Sequence, residues 1–459
     1  MLSVFDHGTS APCPAPFNMA AHVLRHAADL PAKCALSVLG PDRSADWSYR
    51  DLEAAVRGIG TGLLQAGLKP GDIVLMRLGN TVEFPIAYLG AIAAGIVPVP
   101  TSAQLTEVET ARIIAELSPA AVLRDAAVPS APHPHEIPAD ALDAMRGLPP
   151  CAYDMGDPGR MAYVVYTSGT SGSSRAVAHA HRAIWARQMM VEGWYALTPG
   201  DRLLHAGAFN WTFTMGTGLM DPWAAGATAL IPEAGTAPEA LPALLATHGA
   251  TLFADPPPPS PPPPPPPPPP TLPALRHGLC AGEKLPQHLH EAWRDATGTG
   301  LYEAFGMSEC STFISASPAH PARSGALGRP QEGRRVAILG ENGPVPQGED
   351  GIIAIHRSDP GLMLGYLTAP EETAARFQGD WFLTGDRGAM AVDGQVHYLG
   401  RDDDMMNAGG YRVSPLEVEA ALLDNPGITQ AGAAAVEVKP GSSIIVLFYT
   451  GPEQLREDS

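Results

Sequence analysis

Residues 161–179 read Met161-Ala162-Tyr163-Val164-Val165-Tyr166-Thr167-Ser168-Gly169-Thr170-Ser171-Gly172-Ser173-Ser174-Arg175-Ala176-Val177-Ala178-His179. The apolar run over 161–165 predicts a buried strand. It leads straight into a stretch, 168–174, made only of serine, threonine and glycine, and a second strand resumes at 176–179. Glycines let a backbone curl so that its N–H groups face an anion, and the hydroxyls add donors. Such a loop can wrap the β- and γ-phosphates of ATP. It is not the lysine-bearing loop of P-loop ATPases, because the lysine is missing and a strand, not a helix, follows. The same composition also suits a flexible turn, and the stretch alone does not choose between the two.

Upstream, the pattern alternates. Leu52, Val56, Ile59, Leu63 and Leu64 recur at helical spacing and predict a helix over 49–65, stopped by Gly67 and Pro70-Gly71-Asp72. Strands are expected over 73–76, 96–99 and 121–123, and helices over 82–94 and 106–117. Short buried strands separated by helices predict βα units and mostly parallel sheets. Downstream, residues 256–270 are all proline except Ser260. Polyproline has no donors for a ladder and no apolar stripe, so this segment reads as a solvated linker or an insertion in place of a helix.

A chain of 459 residues predicts two or three packed units. Its net charge of −19 repels phosphate backbones and anionic lipids, so neither nucleic acid nor a membrane surface is an expected partner. Any phosphate site must therefore be made locally. The five cysteines are scattered and form no C-x-x-C pair, and no run approaches the roughly 20 apolar residues of a membrane span. A soluble cytoplasmic protein is expected, with the oligomeric state open.

Further strings follow the loop in order: Ala281-Gly282-Glu283, Phe305-Gly306-Met307-Ser308-Glu309, Leu383-Thr384-Gly385-Asp386, Gly400-Arg401-Asp402-Asp403-Asp404 and Gly410-Tyr411-Arg412. Taken together, these strings resemble the adenylate-forming superfamily over about residues 47–423. That superfamily holds acyl-CoA synthetases, luciferases and peptide-synthetase adenylation domains, and the likeness is to the medium-chain and benzoate-type acyl-CoA ligases in particular. The resemblance implies an α/β fold: a large N-terminal region of packed subdomains, residues 1–399, and a small truncated α+β lid, residues 400–459, rotating about a hinge at Asp403. It implies ATP and Mg²⁺ as cofactors, coenzyme A as co-substrate and a small carboxylic acid as the group activated. Thr167, Ser168, Gly169, Thr170, Ser171 and Gly172 would hold phosphates. Gly282, Glu283, Lys284, Glu303, Phe305, Gly306, Met307 and Ser308 would line the nucleotide. Glu309 would hold Mg²⁺, a hard cation suited to carboxylate and phosphate oxygens, while Asp386 and Arg401 would hold the ribose. Gly409 and Gly410 would admit the pantetheine arm. Thr170, Glu309 and Arg412 are the implied catalytic residues. The segment 208–213 would wall the acyl pocket through Phe209, Asn210, Trp211 and Thr212, with Phe213 equally suited to a core. Acetate-specific relatives carry a pocket-closing tryptophan at the position of Gly306, so glycine there implies room for a longer or aromatic acid.

The sequence also departs from the family pattern. Ser174-Arg175 replaces the usual Pro-Lys, and Asn407 stands where many relatives have lysine. The only lysines are Lys33, Lys69, Lys284 and Lys439, and Lys439 falls too early to match the family's late lysine, which bridges carboxylate and α-phosphate. Two alternatives therefore stay open beside the ligase: a nucleotide-binding pseudoenzyme or fragment, and an adenylation domain that loads a carrier protein.

Overall fold

The computed structural model describes residues 1–8, 11–40, 44–167, 175–255, 271–282, 284–285, 287–402, 406–408, 411–423, 428, 430–439 and 442–451. The expected helix forms as Tyr49–Gln65; Ser48 caps it by accepting from the Asp51 amide, and Leu52, Val56, Ile59 and Leu63 are buried. The next predicted helices are Glu83–Ala93 and Glu107–Leu117. The second of these starts in a reciprocal cap between Thr106 and Glu109, which satisfies amides that the first turn leaves without partners. Between the helices run the strands Ile73–Arg77, Val97–Pro100 and Ala121–Arg124, which pair in parallel and are joined by Glu136–Pro138. This is the βα arrangement that the hydrophobic pattern predicts.

A second sheet carries the site. Its parallel half orders Cys34–Leu39, Thr228–Pro232, Arg202–His205, Leu252–Ala254, His277–Ala281 and Gly300–Met307 side by side. The chain then reverses. Ser311–Ser315 returns antiparallel on Gly300–Met307, and Ala326–Pro330, Val396–Arg401, Trp381–Met390, Asp350–His356, Arg335–Gly340 and Val4–Asp6 extend the sheet, all antiparallel. The expectation of mostly parallel sheets thus holds in these two sheets up to Met307, apart from Ser44–Ser48, which pairs antiparallel with Cys34–Leu39. From Ser311 onward the structure adds an antiparallel half, built partly from close reversals such as Gly300–Met307 into Ser311–Ser315 and Trp381–Met390 into Val396–Arg401, and partly from strands distant in sequence.

The strand Met161–Thr167 pairs antiparallel with Arg175–Ala180, Thr167 standing opposite Arg175. The Ser/Thr/Gly loop that connects them lies outside the described residues, as does the proline run. Beyond Arg401 the chain builds small sheets of its own, Met406–Ala408 with Tyr411–Val413 and Gln430–Lys439 with Ser442–Thr450, beside the helix Pro415–Leu423. Among the described residues no helix is long and apolar enough to cross a membrane.

Candidate active site

The strands His277–Ala281 and Gly300–Met307 both end at one cavity of about 280 Å³. Carboxyl ends of parallel strands are where open α/β sheets hold ligands. Six of the residues singled out from sequence meet in its lining: Trp211, Thr212, Gly282, Gly306, Met307 and Ser308. Phe213 lines it too. Phe209 does not; it packs into the apolar core beneath, with its amide held by Asn80 Oδ1 at 2.6 Å. Asn210 is also absent from the lining. Gly282 adopts φ +114°, with nothing within 4 Å of a Cβ position, so its backbone is open to an approaching ligand.

Gly306 lines the cavity, but its need for glycine has another cause. A Cβ there would lie 2.3 Å from the Ser311 carbonyl oxygen and 2.5 Å from Thr312 Cα. The register slips between Phe305 and Gly306, and Ser311 takes φ +63° to complete the tight return. The glycine is therefore fixed by backbone approach as well as by pocket room.

The ribose candidates stand on facing strands. Asp386 and Arg401 are register partners, with Arg401 Nη1 3.4 Å from each Asp386 carboxylate oxygen. Tyr398 OH donates to Asp386 Oδ1 at 3.2 Å, and the Tyr398 ring packs 5.6 Å from that of Phe305. Burial raises the Asp386 pKa, partly offset by Arg401. Glu309 is buried, and its Oε1 accepts from Tyr366 OH at 2.8 Å. Its Oε2 has no partner among the described residues. Burial first, and then Glu309, push the Tyr366 phenol up to about 12, so it stays a donor.

Other candidates are held elsewhere. Lys284 Nζ donates to the Gly325 carbonyl at 2.7 Å. Glu303 Oε1 accepts from the Leu285 amide at 3.3 Å. Arg175, in place of the family lysine, forms a forked pair with Glu372 at 2.5 and 3.0 Å. Thr167 and Arg412 are placed by strand register alone, opposite Arg175 and Asn407. Ser168, Gly169, Thr170, Ser171, Gly172, Glu283, Asp403, Gly409 and Gly410 lie outside the described residues. No group of three or more His, Cys, Asp or Glu side chains able to hold a metal occurs among the described residues. A single carboxylate such as Glu309 still suits Mg²⁺, which keeps waters and takes substrate phosphates as its other ligands.

The structure adds a polar cluster that the sequence reading lacks. Arg187 lines the cavity and pairs with Asp221 through Nε–Oδ1 at 2.7 Å and Nη2–Oδ2 at 2.6 Å. Tyr195 OH donates to the same carboxylate at 2.5 Å, and Arg187 Nη1 donates to Ser311 Oγ. Burial opposes the Arg187 charge, but Asp221 and the neighbouring tyrosines outweigh it and raise the pKa. His179, stacked on Tyr163 at 4.8 Å, donates its Nε2 hydrogen to the Ser308 carbonyl at 2.8 Å. Burial lowers its pKa to about 4, so the ring is neutral.

The AMP-binding enzyme family model matches residues 23–367, and the chain belongs to that family. It is 29% identical to a 3-hydroxybenzoate–CoA ligase of Aromatoleum sp. (strain CIB), the match covering 92% of this chain and 83% of the relative. It is 28% identical to a benzoate–CoA ligase of Thauera aromatica, covering 100% and 92%. The fold matches that of an anthranilate CoA ligase solved with anthranoyl-AMP, with TM-score 0.82, 24% identity and coverage of 97% and 89%.

Proposed function

We propose that this chain is an AMP-forming acid–thiol ligase acting on a small aromatic acid. The observation that carries the reading is the meeting of Trp211, Thr212, Gly282, Gly306, Met307 and Ser308 in one cavity, within a chain of the AMP-binding family. At about 280 Å³ the cavity falls just under the roughly 300 Å³ at which sites for drug-sized ligands begin. Its aromatic walls, Tyr88, Tyr163, Trp211 and Phe213, favour a flat ring over a medium-length flexible chain.

In the first step a carboxylate oxygen attacks the α-phosphorus of ATP and the bond to pyrophosphate breaks, giving acyl-AMP. In the second, the thiolate of coenzyme A attacks the acyl carbon and AMP leaves. Residues 167–172, Thr170 among them, would hold the phosphates. Asp386 would accept from the ribose hydroxyls, with Arg401 beside it. The Gly282–Lys284 backbone and residues 303–308 would flank the base. Glu309 would hold Mg²⁺, which supplies charge neutralisation on the departing pyrophosphate. Gly409, Gly410 and Arg412 would serve the thiol step.

The division at residues 399/400, with a hinge at Asp403, is part of the same reading. It is supported by the separate small sheets that follow Arg401. The reading extends to a cytoplasmic location, which five cysteines without disulfides suit. We further infer that neither Lys33 nor Lys284 bridges the acid and the α-phosphate. Lys33 is tied to the Pro199 and Gly226 carbonyls and Lys284 to that of Gly325.

The test is acid-dependent ATP–pyrophosphate exchange, followed by thioester formation on adding coenzyme A. Exchange without any thioester, but with transfer to a carrier protein, would replace the ligase by a carrier-loading enzyme. ATP binding with no exchange for any acid would leave a nucleotide-binding pseudoenzyme.

A further inference from the structure

The cavity is not uniformly apolar. Arg187 and Ile184 line both it and a second cavity of about 900 Å³, so the guanidinium forms part of the partition between them. The cluster is built to stay in place. A Cβ on Gly216 would come within 2.6 Å of Arg187 Nη2, so the glycine is what lets the guanidinium lie against the helix Thr214–Met220. Thr217 Oγ1 and Tyr195 OH also accept from Nη2, at 3.4 and 3.3 Å.

The donor count leaves something over. A guanidinium carries five N–H hydrogens. Nε and Nη2 are committed to Asp221, Tyr195 and Thr217, while Nη1, with two hydrogens, has only Ser311 Oγ as an acceptor among the described residues. Tyr88 and Tyr163 line the same cavity, and their phenol hydroxyls have no hydrogen-bond partner among the described residues. Tyr88 is only 3% exposed. A polar group on the ligand is the natural complement of such groups, since an apolar one would take them from water and leave them unpaired.

We propose that the acid activated here carries a neutral hydroxyl on its ring, read by Arg187 Nη1 together with the Tyr88 and Tyr163 phenols. This rests on the reading of the chain as an acid-activating ligase. A hydroxyl can accept from Nη1–H and donate to a phenol oxygen, matching both roles at once. A second carboxylate fits less well. Asp221 already takes the Nε/Nη2 edge of the guanidinium and offsets its charge, and a buried anion without its own counter-charge is costly.

The experiment uses the full chain and measures pyrophosphate exchange. The acids compared are benzoate, 3- and 4-hydroxybenzoate, 3- and 4-methylbenzoate, isophthalate and terephthalate. Methyl and hydroxyl are close in size, so their ratio isolates the hydrogen bonds. One hydroxybenzoate should exceed its methyl counterpart by on the order of tenfold to a hundredfold in kcat/KM. Arg187→Lys keeps a charge opposite Asp221 but removes Nη1, and should bring that ratio toward one. Tyr163→Phe, which removes only a phenol hydroxyl and leaves the Arg187–Asp221 pair intact, should lower the same ratio if the lysine variant does not fold. Equal rates for hydroxyl and methyl acids, or a preference for the dicarboxylates, would overturn the proposal while leaving the ligase reading standing. No exchange with any acid would sink both.

Discussion

At Gly306 two explanations of one residue come apart. The family comparison explains the glycine by pocket room, whereas the structure puts the Ser311 carbonyl 2.3 Å from any Cβ. Gly306→Ala should therefore act on the fold before it acts on substrate choice, costing about 1–3 kcal/mol as overpacking against immovable backbone. Thermal melts should show the loss, and the acid profile should weaken across all acids, with no drift toward short ones. Asp386 carries a second expectation. Its ionised carboxylate is the form that accepts from ribose hydroxyls, and burial raises its pKa above the ordinary range. ATP affinity should be full above that pKa and fall as the pH drops through it, at less acid pH than an exposed carboxylate would give. Asp386→Asn should weaken ATP binding by about 1.5–3 kcal/mol, the worth of a hydrogen bond to a charged group, and should flatten the acid limb; calorimetric titration across pH reads both. Arg187 shows why a functional residue escapes a reading of the sequence. A lone arginine reads as a surface charge, and its partner Asp221 is 34 positions away. The usable signal was Asp221 itself, a carboxylate set among Leu219, Met220, Pro222 and Trp223, where an unpaired charge is not tolerated.

Elements were legible in proportion to how local their causes are. The helix Tyr49–Gln65 runs from its serine cap to the glycine stop, all within sight of the sequence. The reciprocal cap at Thr106 is equally local, and Thr106→Ala should cost about 1 kcal/mol. Urea unfolding should register that loss with the pyrophosphate-exchange rate unaltered, since the helix Glu107–Leu117 contributes no lining to the cavity. The antiparallel half was not legible. Val4 pairs with Ala337 across most of the chain, and no periodicity within either strand announces such a partner. The hairpin around the Ser/Thr/Gly loop lies between these cases: both strands were readable, while the third strand of their sheet, Gly365–Tyr366, was not.

At the scale of the molecule, a fully buried ion pair ties together the antiparallel half of the large sheet, at the ends of Arg335–Gly340 and Asp350–His356 and against Ser311–Ser315. Arg334 Nη1 meets Asp359 Oδ1 at 2.6 Å with neither side chain exposed, and Arg334 Nη2 donates to the Thr312 carbonyl at 3.0 Å. Asp359→Ala would strand a buried guanidinium, at a cost of about 3–5 kcal/mol. The urea midpoint should fall accordingly, and because Thr312 lines the cavity the KM for the acid should rise as well. The Asp386–Arg401 rung has a different reach. Arg401 stands just ahead of the segment proposed to turn, and the Asp402 amide donates to the Gly385 carbonyl at 2.9 Å. A ligand drawn to Asp386 must therefore share that carboxylate with the strand leading out of the body. Linkage makes the sharing reciprocal: whatever factor nucleotide occupancy contributes to holding residues 401–402 in this register, holding that register returns to nucleotide affinity.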